Sequence, residues 1–423
     1  MDTTTTESLT LDTLDIVSQE HFEKNGYPHR EWAYLRKHAP VFWYDRPNVD
    51  PFWAITKHAD LITIARQPKL FLNGPRLLVI PKDQYIEGGD NLFRHLLNMD
   101  PPAHAKYRDL VNRRFTPRAV RKLEAEVAEI ADAVMNELIA THRNGGSAIE
   151  CDFVTDFSAN VPLDVIAALL GVPKPDRPQL FRWTNETIGS ADPEFQKGAT
   201  AQETVQRARE GLFTYFSNLV EQRKKDPKDD LTSVLAHSNL DGQPLPLFEM
   251  LSYFLLLVVA GNETTRNATS GGLAALIENP DQWRMLQNDP ALLRSAIEEI
   301  VRWTSPVIQF ARTATEDFEL RGQTIKAGDS MALYYPSANR DEDVFEEPFK
   351  FDIRRDPNPH LAFGIGEHFC LGANLARLEL EVIFRVLLKR VEHAEMTGQV
   401  ERLRSSFVGG IKHMPVRLKL RSA

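Results

Sequence analysis

Residues 363–372 read Phe-Gly-Ile-Gly-Glu-His-Phe-Cys-Leu-Gly, and this glycine-rich turn leads into a predicted amphipathic helix over residues 371–391. The turn delivers Cys370 to the start of that helix. A helix N-terminus carries partial positive charge, and unpaired backbone N–H groups of the turn can donate to a sulfur atom. The position therefore favours the thiolate form of Cys370, which is the form that binds a metal.

The chain has one other cysteine, Cys151, so few metal sites can be built from thiolates alone. Two cysteines are too few for a four-thiolate iron–sulfur cluster or a four-cysteine zinc site, and the C-x-x-C-H attachment motif of c-type haem is missing. A zinc site of His360, His368 and Cys370, a cysteine nucleophile and a buried inert cysteine all remain open. The glycines and the helix start favour an axial thiolate ligand of haem iron. For Cys151 we predict packing as a small apolar side chain.

The segment around Cys370 fits F-G-x-G-x-[H/R]-x-C-x-G at every fixed position, and it resembles the haem-ligand loop of the cytochrome P-450 family. The resemblance extends from about residue 27 to the C-terminus. It implies a mainly α fold with a large helical lobe and a smaller strand-rich lobe, and haem b between a long central helix and the cysteine loop. It implies Cys370 as the iron ligand and Phe363, Gly364 and Gly372 as cofactor-binding residues.

Composition is that of an ordinary globular protein of 423 residues, with 42% hydrophobic residues, 26% charged residues and a net charge of −9. The negative charge argues against nucleic acid as a partner. The N-terminus lacks signal-peptide features, and the most apolar stretch, near residues 254–260, is too short to span a membrane. We therefore expect a cytoplasmic protein. We divide the chain into a flexible arm over residues 1–20 and a single catalytic domain over residues 21–423.

Helical periodicity dominates the chain, and it predicts helices over residues 103–115, 117–143, 161–170, 180–190, 201–225, 246–278, 281–289 and 292–304. Residues 40–44 and 52–56 are typical of strands near the start of the chain, and residues 318–325 of a hairpin. Residues 78–100 are irregular and apolar, as a loop covering a pocket would be.

Residues 260–265 read Ala-Gly-Asn-Glu-Thr-Thr inside the predicted helix 246–278. Glycine costs about 1 kcal/mol in a helix interior, and Thr264 can bond back to the carbonyl four residues earlier, which leaves room for a diatomic ligand. A capped bend with a surface glutamate is the alternative. The resemblance implies Glu263 and Thr264 as the acid and alcohol that relay protons, and Ala260 and Gly261 as cofactor-binding residues.

A second pair, Glu299 and Arg302, has i, i+3 spacing on the predicted helix 292–304. As a surface ion pair it would contribute little to stability. The family resemblance implies that the pair is buried and is joined by Arg355 from a segment before the cysteine loop. We assign these three residues to folding and pocket assembly.

Haem carries two carboxylates that need cationic or hydrogen-bonding partners when they are buried. His104 and Arg108 have i, i+4 spacing on one predicted helix. Arg312 follows the helix of Glu299, and His368 lies two residues before Cys370. All four match family positions that hold the propionates, whereas each one alone would be read as a solvated charge.

The positions that line the distal pocket in the family are mostly apolar in this chain. They are Val259, Ala260, Val307, Ile308, Phe310, Phe407 and Val408. An apolar pocket implies insertion of one oxygen atom from O₂ into a C–H bond of a small hydrophobic substrate. Longer strings, such as residues 259–267 and 337–342, resemble bacterial enzymes that oxidise sterol side chains, methyl-branched lipids or monoterpenoids.

The electrons must come from another protein, because the chain has no flavin or nicotinamide signature and too few cysteines for an iron–sulfur centre. Residues 106–122 contain seven Lys or Arg and one acid, Asp109. This segment predicts docking of an acidic ferredoxin, supplied by a ferredoxin reductase, or else a solvated helix face. A peroxide-driven oxidase and a haem sensor or carrier without turnover are the alternative functions.

Overall fold

The computed structural model describes residues 9–84, 94–143 and 145–421. Helices provide most of the regular structure. They are α1 (Gln19–Asn25), α2 (His29–His38), α3 (His58–Ala65), α4 (Ala103–Asn112), α5 (Pro117–Arg121), α6 (Glu124–His142), α7 (Asn160–Leu169), α8 (Arg177–Ile188), α9 (Ala201–Lys225), α10 (Leu231–Ala236), α11 (Leu247–Glu278), α12 (Pro280–Asn288), α13 (Leu293–Thr304), α14 (Tyr335–Ala338) and α15 (Ala373–Arg390).

The strands are short, and most of them pair antiparallel. They are β1 (Val41–Arg46), β2 (Val49–Ile55), β3 (Phe71–Leu72), β4 (Ala148–Asp152), β5 (Asn239–Leu240), β6 (Gln243–Pro244), β7 (Gln309–Ala314), β8 (Phe318–Leu320), β9 (Gln323–Ile325), β10 (Ser330–Tyr334), β11 (Val391–Met396), β12 (Glu401–Arg402), β13 (Ile411–His413) and β14 (Pro415–Leu420).

The 32-residue helix α11 forms the centre of the helical lobe. It packs against α7, α8, α9, α13 and α15, so that apolar side chains are buried on nearly every side of it. A helix surrounded by protein in this way needs apolar residues all round. Among the described residues it is the one helix long and apolar enough to cross a membrane, and most of it is buried inside the protein.

The strand-rich lobe is built on a five-stranded sheet in the order β1-β2-β10-β7-β3. Strand β10 runs parallel to β2 and antiparallel to β7, so residues 309–334 join the N-terminal hairpin in one sheet. A separate three-stranded sheet, β11-β14-β4, packs with the helical lobe. The predicted architecture, a large helical lobe with a smaller strand-rich lobe, is confirmed.

Most predicted helices are found with bounds shifted by one to three residues. The longest prediction, residues 117–143, is two helices, because α5 ends at Arg121 and α6 begins at Glu124. The predicted hairpin is formed by β8 and β9. Of the predicted pocket loop, residues 85–93 lie outside the described residues.

The N-terminal segment differs from the expectation of a loosely held arm. Leu14, Ile16 and Val17 are almost fully buried against the strand-rich lobe. Tyr44 donates to the carbonyl of Leu14, and Arg46 donates to the carbonyl of Leu11. The apolar residues of this segment therefore hold it against the strand-rich lobe. Residues 1–8 lie outside the described part of the chain.

Candidate active site around Cys370

The loop before α15 turns sharply at two glycines and presents Cys370. Gly364 and Gly366 have φ angles of +69° and +79°, a region that other residues rarely adopt. A side chain at Gly366 would also collide with the carbonyl oxygen of Ala65. The N–H of Cys370 donates to the carbonyl of Phe363 at 2.9 Å, which closes the loop on itself. Both glycines are therefore required by the loop's shape.

Helix α15 begins at Ala373, so Cys370 lies in the turn before the helix and not in its first turn as predicted. The N–H of Gly372 still donates to the sulfur, as expected for a thiolate site. Burial raises the pKa of the Cys370 thiol, and this N–H together with the charges of Arg108 and Arg377 opposes the rise. A metal ion at the sulfur would complete the deprotonation.

One stripe of α11 faces an internal space. Val259, Ala260 and Thr264 keep exposed surface although they lie in the middle of a helix whose other sides are buried. The Thr264 hydroxyl donates to the carbonyl of Ala260 at 2.8 Å, as the sequence predicts. An added Cβ at Gly261 would lie 3.0 Å from Ile166, while the predicted cofactor contact of Gly261 stays a prediction. This glycine lets α7 pack closely against α11.

Glu263 is buried under α8 and does not share the stripe of Thr264. Arg266 donates to Oε2 of Glu263, whereas Oε1 has no hydrogen-bond partner among the described residues. Arg266 also donates to Oδ1 of Asn185 at 2.8 Å, which ties the pair to α8. Burial raises the pKa of Glu263, and the charge of Arg266 opposes this rise.

Sequence reasoning missed Arg266 and Asn185. The i, i+3 spacing of Glu263 and Arg266 is the same as that of Glu299 and Arg302, so the ion pair could have been found from the sequence. Asn185 lies 81 residues from Arg266, and no local pattern connects the two.

Two histidines from remote segments meet beside the cysteine loop. The rings of His104, on α4, and His368 lie with their centroids 4.1 Å apart. Nδ1 of His104 is 3.0 Å from Oε1 of Glu367, a contact that sequence reasoning missed. Nε2 of His368 is buried and has no hydrogen-bond partner among the described residues. Burial, with the charges of Arg312, His104 and Arg108, lowers the pKa of His368 to about 2.

Two arginines complete this group of hydrogen-bond donors. Arg312 is buried on β7 and donates to the carbonyl of its neighbour, Ala311. Arg108 donates to the carbonyl of Phe369 at 2.8 Å. The four predicted propionate ligands therefore come together as a cationic group with an unsatisfied buried nitrogen. Such a group suits the two carboxylates of haem.

The predicted pocket residues divide into two sets. Val307, Phe310 and Phe407 are partly exposed, and the rings of the two phenylalanines have centroids 5.6 Å apart. Ile308 is fully buried in the core of the strand-rich lobe, and Val408 is 2% exposed. A residue that lines an open space must keep accessible surface, so the prediction of Ile308 and Val408 as pocket residues is wrong.

The acid–base network around Glu299 is fully buried. Arg302 donates to both carboxylate oxygens of Glu299 at 2.7 Å, and Arg355 donates to Oε2 at 3.2 Å. Asn358 and the backbone N–H of Asp352 donate as well. The network joins α13 to the segment before the cysteine loop, as the family resemblance implies.

The alternative metal site receives no support. Nε2 of His360 is 3.1 Å from Glu298, which fixes this histidine away from a zinc ligand set with Cys370. Among the described residues, no group of three or more His, Cys, Asp or Glu side chains could hold a metal ion. Cys151 is buried in the core on β4, as predicted.

Comparison with known proteins supports the same site. The family model described as Cytochrome P450 matches residues 80–419. The steroid C26-monooxygenase of Mycolicibacterium smegmatis is 39% identical, over 92% of this chain and 90% of that protein. The methyl-branched lipid omega-hydroxylase of Mycobacterium tuberculosis is also 39% identical, over 91% and 90%.

Among solved structures, the Mycobacterium marinum cytochrome P450 CYP268A2 in complex with pseudoionone is 34% identical. It matches with a TM-score of 0.89 over 97% of this chain and all of that chain. The glycine-rich cysteine loop, the exposed stripe on α11 and the cationic group fit a cysteine-ligated haem b between them. The chain belongs to the cytochrome P450 family, and it is a haem-dependent monooxygenase.

Proposed function

We propose that this monooxygenase inserts one oxygen atom from O₂ into a C–H bond of a terpenoid, a steroid or a methyl-branched lipid. The observation that carries the proposal is the stripe of Val259, Ala260 and Thr264, which keeps accessible surface in the middle of a mostly buried helix, α11. The partly exposed Phe310 and Phe407 are also apolar, so a substrate here would be held by hydrophobic contact. Two of these classes are named in the relatives, as a steroid C26-monooxygenase and a methyl-branched lipid omega-hydroxylase.

Each residue of the site has a proposed role. Cys370 ligates the iron, and His104, Arg108, Arg312 and His368 hold the propionates. The haem supplies the oxidising power for attack on an unactivated C–H bond. Glycines of the loop give the sulfur its position, and Gly372 donates to it.

Glu263 and Thr264 deliver protons to the oxygen side of the site. Thr264 presents its hydroxyl beside Ala260, on the stripe that faces the internal space. Glu263 is buried beneath α8, close to Thr184, and its Oε1 has no geometric hydrogen bond within the described part of the chain. A water at that oxygen could pass a proton toward Thr264, with Arg266 holding the carboxyl group in place.

The reaction is tested with purified protein, a ferredoxin, its reductase and NADH. Terpenoids, steroids and methyl-branched fatty acids are first screened for a shift of the haem Soret band, and compounds that shift it are then incubated for product formation. We expect a hydroxylated product that retains one atom of ¹⁸O from ¹⁸O₂. The substrate class would be wrong if no member of the three classes shifted the Soret band or was oxidised. Cys370→Ala is the control, and it should lose the thiolate-type spectrum and the product.

We infer that a ferredoxin docks on the basic segment of residues 106–122. Lys106 and Arg114 form ion pairs with Asp241 and Asp229, so their charges are partly neutralised. Arg108 donates to Phe369 at the cysteine loop. The other four basic side chains of the segment are exposed and have no ion pair among the described residues, namely Arg113, Arg118, Arg121 and Lys122. An acidic partner would gain most from these four.

Charge reversal tests the docking surface. We expect Arg113→Glu with Arg118→Glu to slow reduction by the ferredoxin and to reduce the salt dependence of that rate. The matched control is Lys106→Glu, a basic residue of the same segment whose charge is already paired. Unchanged reduction kinetics in the double variant would show that the ferredoxin does not dock on this surface.

We also infer that residues 21–423 act as one catalytic domain and that the enzyme works in the cytoplasm. The family model spans residues 80–419 without division. The two cysteines are unpaired, which suits a reducing compartment.

A further inference from the structure

Glu367 makes a contact that the roles proposed above do not use. It lies on the single turn Gly366–His368 of the cysteine loop, and its Oε1 is 3.0 Å from Nδ1 of His104 on α4. His104 is 1% exposed, whereas the Glu367 side chain keeps 24% of its surface. A glutamate at the edge of the protein therefore reaches inward to a fully buried imidazole.

The chemistry of this contact determines where the protons of His104 lie. An ionised carboxylate only accepts hydrogen bonds, so Nδ1 must carry a proton and donate it to Glu367. Among the described residues, none forms a hydrogen bond with Nε2, the other ring nitrogen. A haem propionate is also an acceptor, so Nε2 must donate to it. With haem bound, His104 would donate from both ring nitrogens, and the negative charges of Glu367 and the propionate would offset the burial that otherwise lowers its pKa.

We propose that Glu367 is a positioning residue for haem, which fixes the ring of His104 and lets His104 donate through Nε2 to a propionate. The inference rests on the proposed role of His104 as a propionate ligand. Outer carboxylates orient metal-ligating histidines in the same way, and here the arrangement holds a ligand of the cofactor's carboxylate.

The surroundings of His104 explain why such a partner is needed. Burial lowers the pKa of His104 overall, and the charge of Arg108 acts in the same direction, whereas Glu367 and Asp100 oppose the shift. The neighbouring guanidinium of Arg312 adds no acceptor, and the neutral ring of His368 carries no negative charge. Glu367 is the acidic group in direct contact with the ring. Without it, His104 would lose both its orientation and its main counter-charge.

The test measures how fast haem leaves the purified holoenzyme for an excess of apomyoglobin, followed by absorbance. We expect Glu367→Ala and His104→Phe each to release haem about tenfold faster, which is the usual size of an outer-partner effect. The double variant should be no faster than His104→Phe alone. Glu367→Gln keeps an acceptor for Nδ1 but loses the counter-charge, so its haem release should fall between those of the unaltered enzyme and Glu367→Ala. Glu316→Ala, at an exposed glutamate, is the control.

Two contrary results have different meanings. If His104→Phe accelerates haem release but Glu367→Ala does not, or if the two effects multiply in the double variant, the positioning role of Glu367 is overturned. If His104→Phe itself leaves haem release unchanged, the propionate role of His104 under the proposed function is wrong. Product formation is measured separately, so neither result depends on turnover.

Discussion

Two buried glutamate–arginine pairs with the same i, i+3 spacing lie on the packed helices α11 and α13, and they differ in how fully they are hydrogen-bonded. Glu299 accepts hydrogen bonds from Arg302, Arg355, Asn358 and the N–H of Asp352. Arg302 in turn donates to backbone carbonyls on the segment before the cysteine loop. Every strong polar group in this pair has a partner.

The pair of Glu263 and Arg266 is incomplete by comparison. Oε1 of Glu263 and Nε of Arg266 are buried and have no hydrogen-bond partner among the described residues. A buried polar group without a partner is costly, so ordered water or a mobile proton must satisfy it. The comparison teaches that spacing alone does not assign a role. A saturated pair is suited to holding segments together, and an incomplete one to exchanging protons.

The largest loss of stability is expected at the fully hydrogen-bonded pair of Glu299 and Arg302. Glu299→Gln leaves Arg302 and Arg355 buried without their counter-charge, and loss of one partner of a buried pair costs about 3–5 kcal/mol. Urea unfolding, with the fraction of protein that retains haem, measures the loss. Glu263→Gln is the matched control and should lose less. Equal losses in the two variants would mean that the two pairs do not differ in structural role.

The rate of product formation should be affected more by the substitution of Glu263 than its effect on stability would suggest. Glu263→Gln keeps an acceptor for Arg266 but removes the ionisable group, and we expect product formation to fall by about 100-fold. The rate in D₂O relative to H₂O should change as well, because proton delivery becomes limiting. Substrate binding, followed by the Soret shift, should be unaffected. A variant that kept its full rate would exclude Glu263 from proton delivery.

A smaller effect is expected at the tie between Arg266 and α8. Asn185→Ala removes the acceptor of one Arg266 N–H, and a hydrogen bond to a charged group contributes about 1.5–3 kcal/mol. We expect a loss near the lower limit, measured by urea unfolding, since Arg266 keeps Glu263. Asn218→Ala, at an exposed position on α9, is the control and should be near neutral. An undiminished loss in an Arg266→Met background would show that Asn185 does not act through Arg266.

Much of this comparison was accessible from sequence, because its parts are local. The loop at Cys370, the spacing of Glu299 and Arg302, and the long helix predicted over residues 246–278 and found at Leu247–Glu278 all follow from short-range patterns. The direction of side chains on a helix does not. Glu263 and Thr264 are adjacent in sequence, yet one lies under α8 and the other faces the internal space.

Contacts between remote segments were also beyond sequence reasoning. Glu367 meets His104 across 263 positions, and periodicity within either segment contains no information on that meeting. Burial of Ile308 was missed for a similar reason. Ile308, directly before β7, packs in one cluster with Leu14, Ile16 and Val17, whose burial we did not predict.

Glu379 on α15 extends the comparison to a buried carboxyl group with no hydrogen bond among the described residues. Burial raises its pKa well above the ordinary value, so the folded protein binds a proton that the unfolded chain releases at neutral pH. As far as Glu379 is concerned, the free energy of unfolding is therefore highest below the ordinary carboxyl pKa. It falls as pH rises toward the raised pKa of the folded protein. Glu379→Gln cannot lose that proton, although its amide is buried without a partner too.

We expect Glu379→Gln to stabilise the protein at pH 7–8 by about 1 kcal/mol, the smallest of these effects. The gain should vanish near pH 4, where the carboxyl group is protonated in both states. Urea unfolding of the two proteins at several pH values isolates this group, because all other titrating residues are shared. A gain independent of pH would show that the folded protein already holds Glu379 ionised.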